Sequence, residues 1–251
     1  MLNNCTLEKR FYKALVAQKE YELVRSESHS GFNLCEEELK QLDSVISPLL
    51  KNGQSIHHII ANNPSQPVAE LDSVEGIKVG SVLLTIHFVL PNLQLAFLRD
   101  ANDSKSVTDI FDALYKLLGF ENFTKILPIC LADNGTEFSD PFGIEADSDG
   151  VIRSRLFYCD PSSPGQKGAC ENNHEFIRRI IPKSTDLGQY TQSQIDIMMD
   201  HINSYGRPEL GDKSPYEMFE FYYGKEILDL LGVHKIVPNE IILKPELLKN
   251  R

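Results

Sequence analysis

The chain has 251 residues, 41% hydrophobic and 24% charged, an ordinary globular balance with room for one large domain or two modest ones. No apolar run approaches the ~20 residues needed to span a bilayer, and the start, MLNNCTLEKRFYKAL, lacks the apolar core and cleavage site of a secretory signal. A net charge of −11 argues against a generic nucleic-acid binder, and five cysteines without a CxxC pair favour a reducing cytoplasm over a disulfide framework.

Residues 7 to 27 carry Phe11, Leu15, Tyr21 and Val24 at helical spacing. A second helix is predicted from Glu36 to Leu50, closing near Gly53, and a third begins with Ser55 as its cap. Two helices joined by a glycine turn form the opening of a helix-turn-helix. His57 and His58 in the third helix read as one surface and one semi-buried residue. NNPSQP, residues 62 to 67, reads as a boundary.

After it the pattern changes to strands. VAELDSV, VLLTIHFVL and LQLAFLRD are apolar, partly β-branched runs separated by GIKVG and PN. Asp100 and Asp103 fall in a polar loop. SVTDIFDALYKLLG then has helical spacing through Val107, Ile110, Phe111, Leu114, Leu117 and Leu118, with Ser106 to cap its start and Gly119 its end. ILPICLAD is the next strand. In EADSDGVIRSRL, Glu145, Asp147, Asp149 and Gly150 imitate a calcium loop, but the twelfth position is Leu156, so a turn is expected. RSRLFYCDP is another strand, with Asp160 before Pro161 at its end. A helix is expected from about Ala169 to Ile181, stopped by Pro182. Three strands, a helix, a strand, an irregular piece, a strand and a helix make an α/β layout with a mixed sheet. The last third reads as mainly helical, with Ile195, Met198, Met199 and Ile202 on one face and an extended tail.

Three acids stand out by placement. Asp72 lies within the first strand, Asp133 ends a later one in LADNGTEF, and Glu171 falls in the first turn or so of the helix in GACENNHEFIRR. A hairpin turn would also explain Asp-Asn-Gly. Converging carboxylates would suit Mg²⁺ or Mn²⁺, and two such ions about 4 Å apart can act on a phosphodiester. His174 and Arg178 stand three and seven residues beyond Glu171, on the same helical face. Residues 70 to 150 hold 14 acids and 5 basic groups, whereas 151 to 184 hold 6 basic groups and 3 acids. Such asymmetry fits a site holding cations before an anionic substrate, though patterned surface charge explains it too. Cys159, Cys170 and His174 match no common zinc spacing, and the two cysteines read as small apolar groups.

Four motifs occur in order: ELDSVEG, LADNGTEF, FYCDP with QKGACENNHEFIRRIIPK, and HINSYGRPELGDKSPYEMF. Together they resemble the transposases of bacterial insertion sequences of the IS-thirty family, from about Pro67 to the C-terminus. The resemblance implies an α/β fold, a ribonuclease-H-like mixed five-stranded sheet with flanking helices. It implies a helical DNA-binding region over 1–63, a catalytic core over 64–184 and a helical extension over 185–251. Asp72, Asp133 and Glu171 match the catalytic, metal-binding triad of such enzymes, which take two Mg²⁺ or Mn²⁺ ions. Arg178 matches the arginine of the E-N-x-x-x-x-x-R motif, and Lys167, His174 and Lys183 would join it in holding DNA. The implied partners are double-stranded DNA and further copies of the chain, in the bacterial cytoplasm at the nucleoid, with no membrane. The pattern departs from the family before the first strand, where a recognition helix and basic linker are expected, as if internally deleted. The alternatives are a non-catalytic remnant that binds DNA weakly or associates with intact transposase, and a host nuclease of the ribonuclease H kind.

Overall fold

The computed structural model describes residues 67–77, 80–159 and 168–249, all within one compact unit, Ser55–Arg251. The helices expected before residue 62, most of the NNPSQP boundary, His57, His58, Asp160 and Lys167 lie outside the described residues.

Strands β1 (Val68–Glu75), β2 (Val82–Phe88) and β3 (Leu93–Arg99) form an antiparallel meander. Helix α1 (Ser104–Ile126) then carries the chain across, so that β4 (Ile129–Ala132) pairs parallel to β1 and β5 (Arg155–Tyr158) parallel to β4. The order β3-β2-β1-β4-β5 is a mixed five-stranded sheet with flanking helices, the ribonuclease-H-like arrangement implied by the motifs.

Strand side chains alternate between faces, and the two faces differ in kind. One face presents Ala69, Leu71, Leu84, Ile86, Phe88 and Leu93, which pack on Val107, Phe111, Leu114 and Leu118 of α1. Two further helices, α5 (Pro215–Tyr223) and α6 (Lys225–Leu230), join that core through Phe219, Tyr223, Ile227 and Leu228. The other face meets α3 (Gly168–Ile180) and α4 (Gln192–Ser204) through Val74, Leu83 and Ala96. There Ile177, Ile180, Ile195, Met198, Met199 and Ile202 form the apolar side. Between these apolar residues the same face buries Glu70, Thr85, His87 and Gln94. Buried polar groups are costly without partners; α3 supplies them to Glu70, Thr85 and His87, and α4 bonds the backbone of Gln94.

Strand β3 lies at the sheet edge, where unpaired backbone groups invite association. Two amides of α4 cover it. Asn203 accepts from the Gln94 amide and donates to its carbonyl at 3.0 and 2.8 Å. Gln192 accepts from Leu98 N and donates to Ala96 O at 2.7 and 2.9 Å.

Three local expectations are corrected. Asp103, not Ser106, caps α1, accepting from Ser106 N at 2.8 Å, while the Ser106 hydroxyl turns back to the carbonyls of Ala101 and Asp103. Gly119 does not end the helix. It adopts φ 73° at a break, after which a further turn buries Phe123 and Ile126 in the core. The tail is not simply extended. Pro238–Glu240 forms a 3₁₀ turn and α7 (Glu246–Lys249) docks Leu247 and Leu248 against the α3–α4 cluster. The piece after β4 holds a 3₁₀ turn, Thr136–Phe138, and a short helix α2 (Pro141–Glu145). The calcium-like segment is a turn as expected, in which Asp147 Oδ1 accepts from the amides of Asp149 and Val151.

Candidate functional site

The two central parallel strands fix the first two acids. Glu70 pairs with Leu131 in the β1–β4 register. Asp72 follows two residues later on β1, and Asp133 comes directly after Ala132, the last residue of β4, so the two acids lie toward the same end of neighbouring parallel strands. Asp72 Oδ1 accepts from the amide of Ser73, and Asp133 Oδ1 accepts from that of Gly135, each at 2.9 Å. These local bonds aim each carboxylate.

Gly135 has an ordinary φ, so its role is spatial. A Cβ there would stand 2.4 Å from Glu137 Oε2 and 2.9 Å from Asp133 Oδ1. The Asp-Asn-Gly sequence is therefore no hairpin; its glycine makes room for two acids folding over it. Asn134 Nδ2 donates to the Cys159 carbonyl at 3.3 Å, tying the loop to the end of β5.

Glu171 is the fourth residue of α3; its side chain lies outside the described residues. Its neighbour is firmly placed. The amide of Cys170 donates to Glu70 Oε2 at 2.8 Å, so a buried carboxylate on β1 holds the first turn of α3. Helix N-termini offer unsatisfied amides with partial positive charge, which a carboxylate suits. One turn on, Asn173 donates to His87 Nδ1 at 2.7 Å and accepts from Arg207 Nη1 at 2.9 Å. Arg207, from the GRPELG motif, lies 3.9 Å from the Phe176 ring centroid, and burial lowers its pKa to about 10. The C-terminal motif thus braces the helix that carries Glu171.

His174 turns inward. Its Nε2 lies 3.0 Å from Thr85 Oγ1 and 3.3 Å from Cys170 Sγ, and its Nδ1 lies 3.8 Å from Asp72 Oδ2. Arg178 Nη2 donates to the carbonyl of Glu75, the last residue of β1, at 2.7 Å, and burial lowers its pKa. Gly76 follows, where a Cβ would fall 2.0 Å from the Thr185 carbonyl, so the strand end and the α3–α4 connection touch backbone to backbone. Lys183 is exposed beyond α3. Cys159 packs with Val68 and Leu131 as a small apolar group. Cys170 is more deeply buried but meets Thr85 and His174. Sequence reading passed over Glu70, Thr85, His87, Asn173 and Arg207. For Glu70, Thr85 and His87 the signal available was a polar residue inside an otherwise apolar strand; Asn173 and Arg207 lie outside the strands and carried no such signal.

Among the described residues no helix is long and apolar enough to cross a membrane. The chain matches no protein-family model. It is 41% identical over 66 residues to transposase InsI of insertion sequence element IS30A of Escherichia coli, 26% of this chain and 17% of that protein. It is 26% identical over 151 residues to the transposase of insertion sequence element IS4351 of Bacteroides fragilis, 60% of this chain and 44% of that one. The chain spans less than half the length of the curated relatives it matches. The catalytic core domain of BIV integrase superposes with a TM-score of 0.43 at 17% identity, over 64% of this chain and 97% of that one. The chain is thus similar to insertion-sequence transposases of the IS30 kind, as its four motifs indicated.

Proposed function

We propose that this chain is a DNA transposase of the Asp-Asp-Glu class, hydrolysing a phosphodiester at an element end and joining the freed 3′-hydroxyl to target DNA. The observation that supports this most is the parallel pairing of β1 and β4, neighbouring strands that carry Asp72 and Asp133 toward the same end, with the first turn of α3 tied to β1 through Glu70. Their donors are carboxylate oxygens, the set that suits hard divalent ions. Asp72, Asp133 and Glu171 would hold two Mg²⁺ or Mn²⁺ ions. Bound there, the ions would supply activation of a water or 3′-hydroxyl and charge stabilisation at the leaving oxygen.

The chain's own residues set the geometry. Ser73 N and Gly135 N orient one oxygen of each aspartate, and Glu70 seats the first turn of α3, the helix whose sequence includes Glu171. DNA phosphates would be met by Lys167, His174, Arg178 and Lys183. The partners would be double-stranded DNA and further copies of the chain, in the bacterial cytoplasm at the nucleoid. The three-part division at residues 63 and 184 belongs to the same reading.

A metal-titrated strand-cleavage assay tests it. Asp133→Asn should abolish cleavage; an unaffected rate refutes the assignment. Absence of divalent-dependent nicking by the parent chain would favour the non-catalytic remnant instead.

A further inference from the structure

Cys170 and His174 stand one turn apart on α3, so both project from one helical face toward β1 and β2. Sγ and Nε2 are 3.3 Å apart. One ligand atom from each of Asp72, Cys170 and His174 lies within 4.8 Å of the other two. The thiol is fully buried, while the Asp72 and His174 side chains keep 22% and 17% exposure. The cluster is therefore closed behind the sulfur and open on the carboxylate side.

We propose that Asp72, Cys170 and His174 form a site for a borderline-soft divalent ion, Zn²⁺ or its congeners, adjoining the hard-ion position. Bond lengths of about 2.0–2.3 Å to N, O and S imply ligand–ligand separations near 3.3–3.7 Å in a tetrahedral site. The Cys170–His174 edge already has that length. The Asp72 edge must close by about an ångström at most, within the reach of a carboxylate rotation. Three protein ligands leave a fourth position for water, the pattern of an open zinc site.

Thiolate and imidazole favour this ion strongly over Mg²⁺, which takes oxygen ligands. On the burial of Cys170, the metal must displace the Thr85 hydroxyl from Nε2 and a proton from sulfur, which makes binding weaker as pH falls. Because Asp72 is common to both positions, a zinc ion here takes a ligand from the proposed catalytic pair. Inhibition by micromolar zinc follows; that consequence rests on the transposase reading, whereas metal binding itself does not.

Cobalt substitution of the full chain tests the site. One equivalent of Co²⁺ should give a thiolate-to-metal charge-transfer band and tetrahedral d–d absorption, both bleached by one equivalent of Zn²⁺. Cys170→Ser and His174→Gln should each remove the band and weaken Zn²⁺ binding by at least about tenfold. Cys130→Ser, Cys159→Ser and Asp133→Asn should leave it in place. The Asp133→Asn arm separates this site from the catalytic reading: a band that survives there stands whether or not the parent cleaves DNA. A band that persists in Cys170→Ser, or no thiolate band in the parent, overturns the proposal and leaves Cys170, His174 and Thr85 as a hydrogen-bonded packing cluster. Should Cys170→Ser fail to fold, as read by circular dichroism, His174→Gln decides alone.

Discussion

The two faces of one sheet are built from alternate residues of the same strands and do different work. Leu71, Leu84 and Ile86 point to α1 and meet only apolar groups. Glu70, Asp72, Thr85 and His87, their immediate neighbours, point to α3 and meet amides, an imidazole and a thiol. The α1 face asks mainly for volume; the α3 face buries an apolar cluster too, but also asks for polar partners. The candidate site is thus a layer of the fold, built on the same strands that form the core.

Substitutions should separate the faces. The largest effect is expected at Asp72. Asp72→Asn should lower metal-dependent cleavage by about a hundredfold or more, since even supporting groups around a metal are worth 10- to 100-fold. Its melting temperature should stay close to the parent's. Phe111→Ala, on the α1 face, should do the reverse. It is fully buried and should cost about 3–5 kcal/mol in denaturant unfolding while leaving cleavage per folded molecule unchanged. Equal losses in both assays for both variants would break the distinction.

Glu70 tests where the faces meet. Glu70→Ala removes the acceptor at the start of α3 and should cost about 1–3 kcal/mol, with cleavage falling as well. Glu70→Gln keeps an acceptor oxygen and should recover most of both. If Gln behaves like Ala, the charge rather than the hydrogen bond holds the helix.

The smallest effect lies far from the site. Glu217 forms a capping box with Ser214 at the start of α5 and pairs with Lys235. The Ser214 amide bond above all, and then Lys235, lowers its pKa from 4.5 to about 2. A carboxylate lowered on folding stabilises above its unfolded pKa. That contribution should fade as pH falls from about 4.5 toward 2. Solvent exposure limits it to less than about 1 kcal/mol. Glu217→Gln should flatten the stability slope in that window; an unchanged slope removes the assignment.

Much of this was legible in the sequence because period-2 patterning and turn residues act locally. The order of strands and helices, the apolar face of α4 and the turn at Asp147–Gly150 all followed from near neighbours. Asp72 and Asp133 could be singled out because each interrupts an apolar run. The pairing of Cys170 and His174 with Asp72 could not, because a helix-to-strand contact about a hundred residues apart leaves no local trace. Ser106 as cap failed because two capping residues stood three apart and Asp103 had the better geometry. Gly119 as a stop failed because Phe123 and Ile126 draw the chain into the core beyond it. Arg207 read only as part of a tail motif, since its partner Asn173 lies 34 residues earlier.

The most direct test of the convergence is anomalous diffraction from crystals soaked in Mn²⁺. Two manganese peaks about 4 Å apart are expected, shared among the carboxylates of Asp72, Asp133 and Glu171. Peaks elsewhere on the molecule, or a Glu171 carboxylate turned away from ordered ions at the two aspartates, would contradict it.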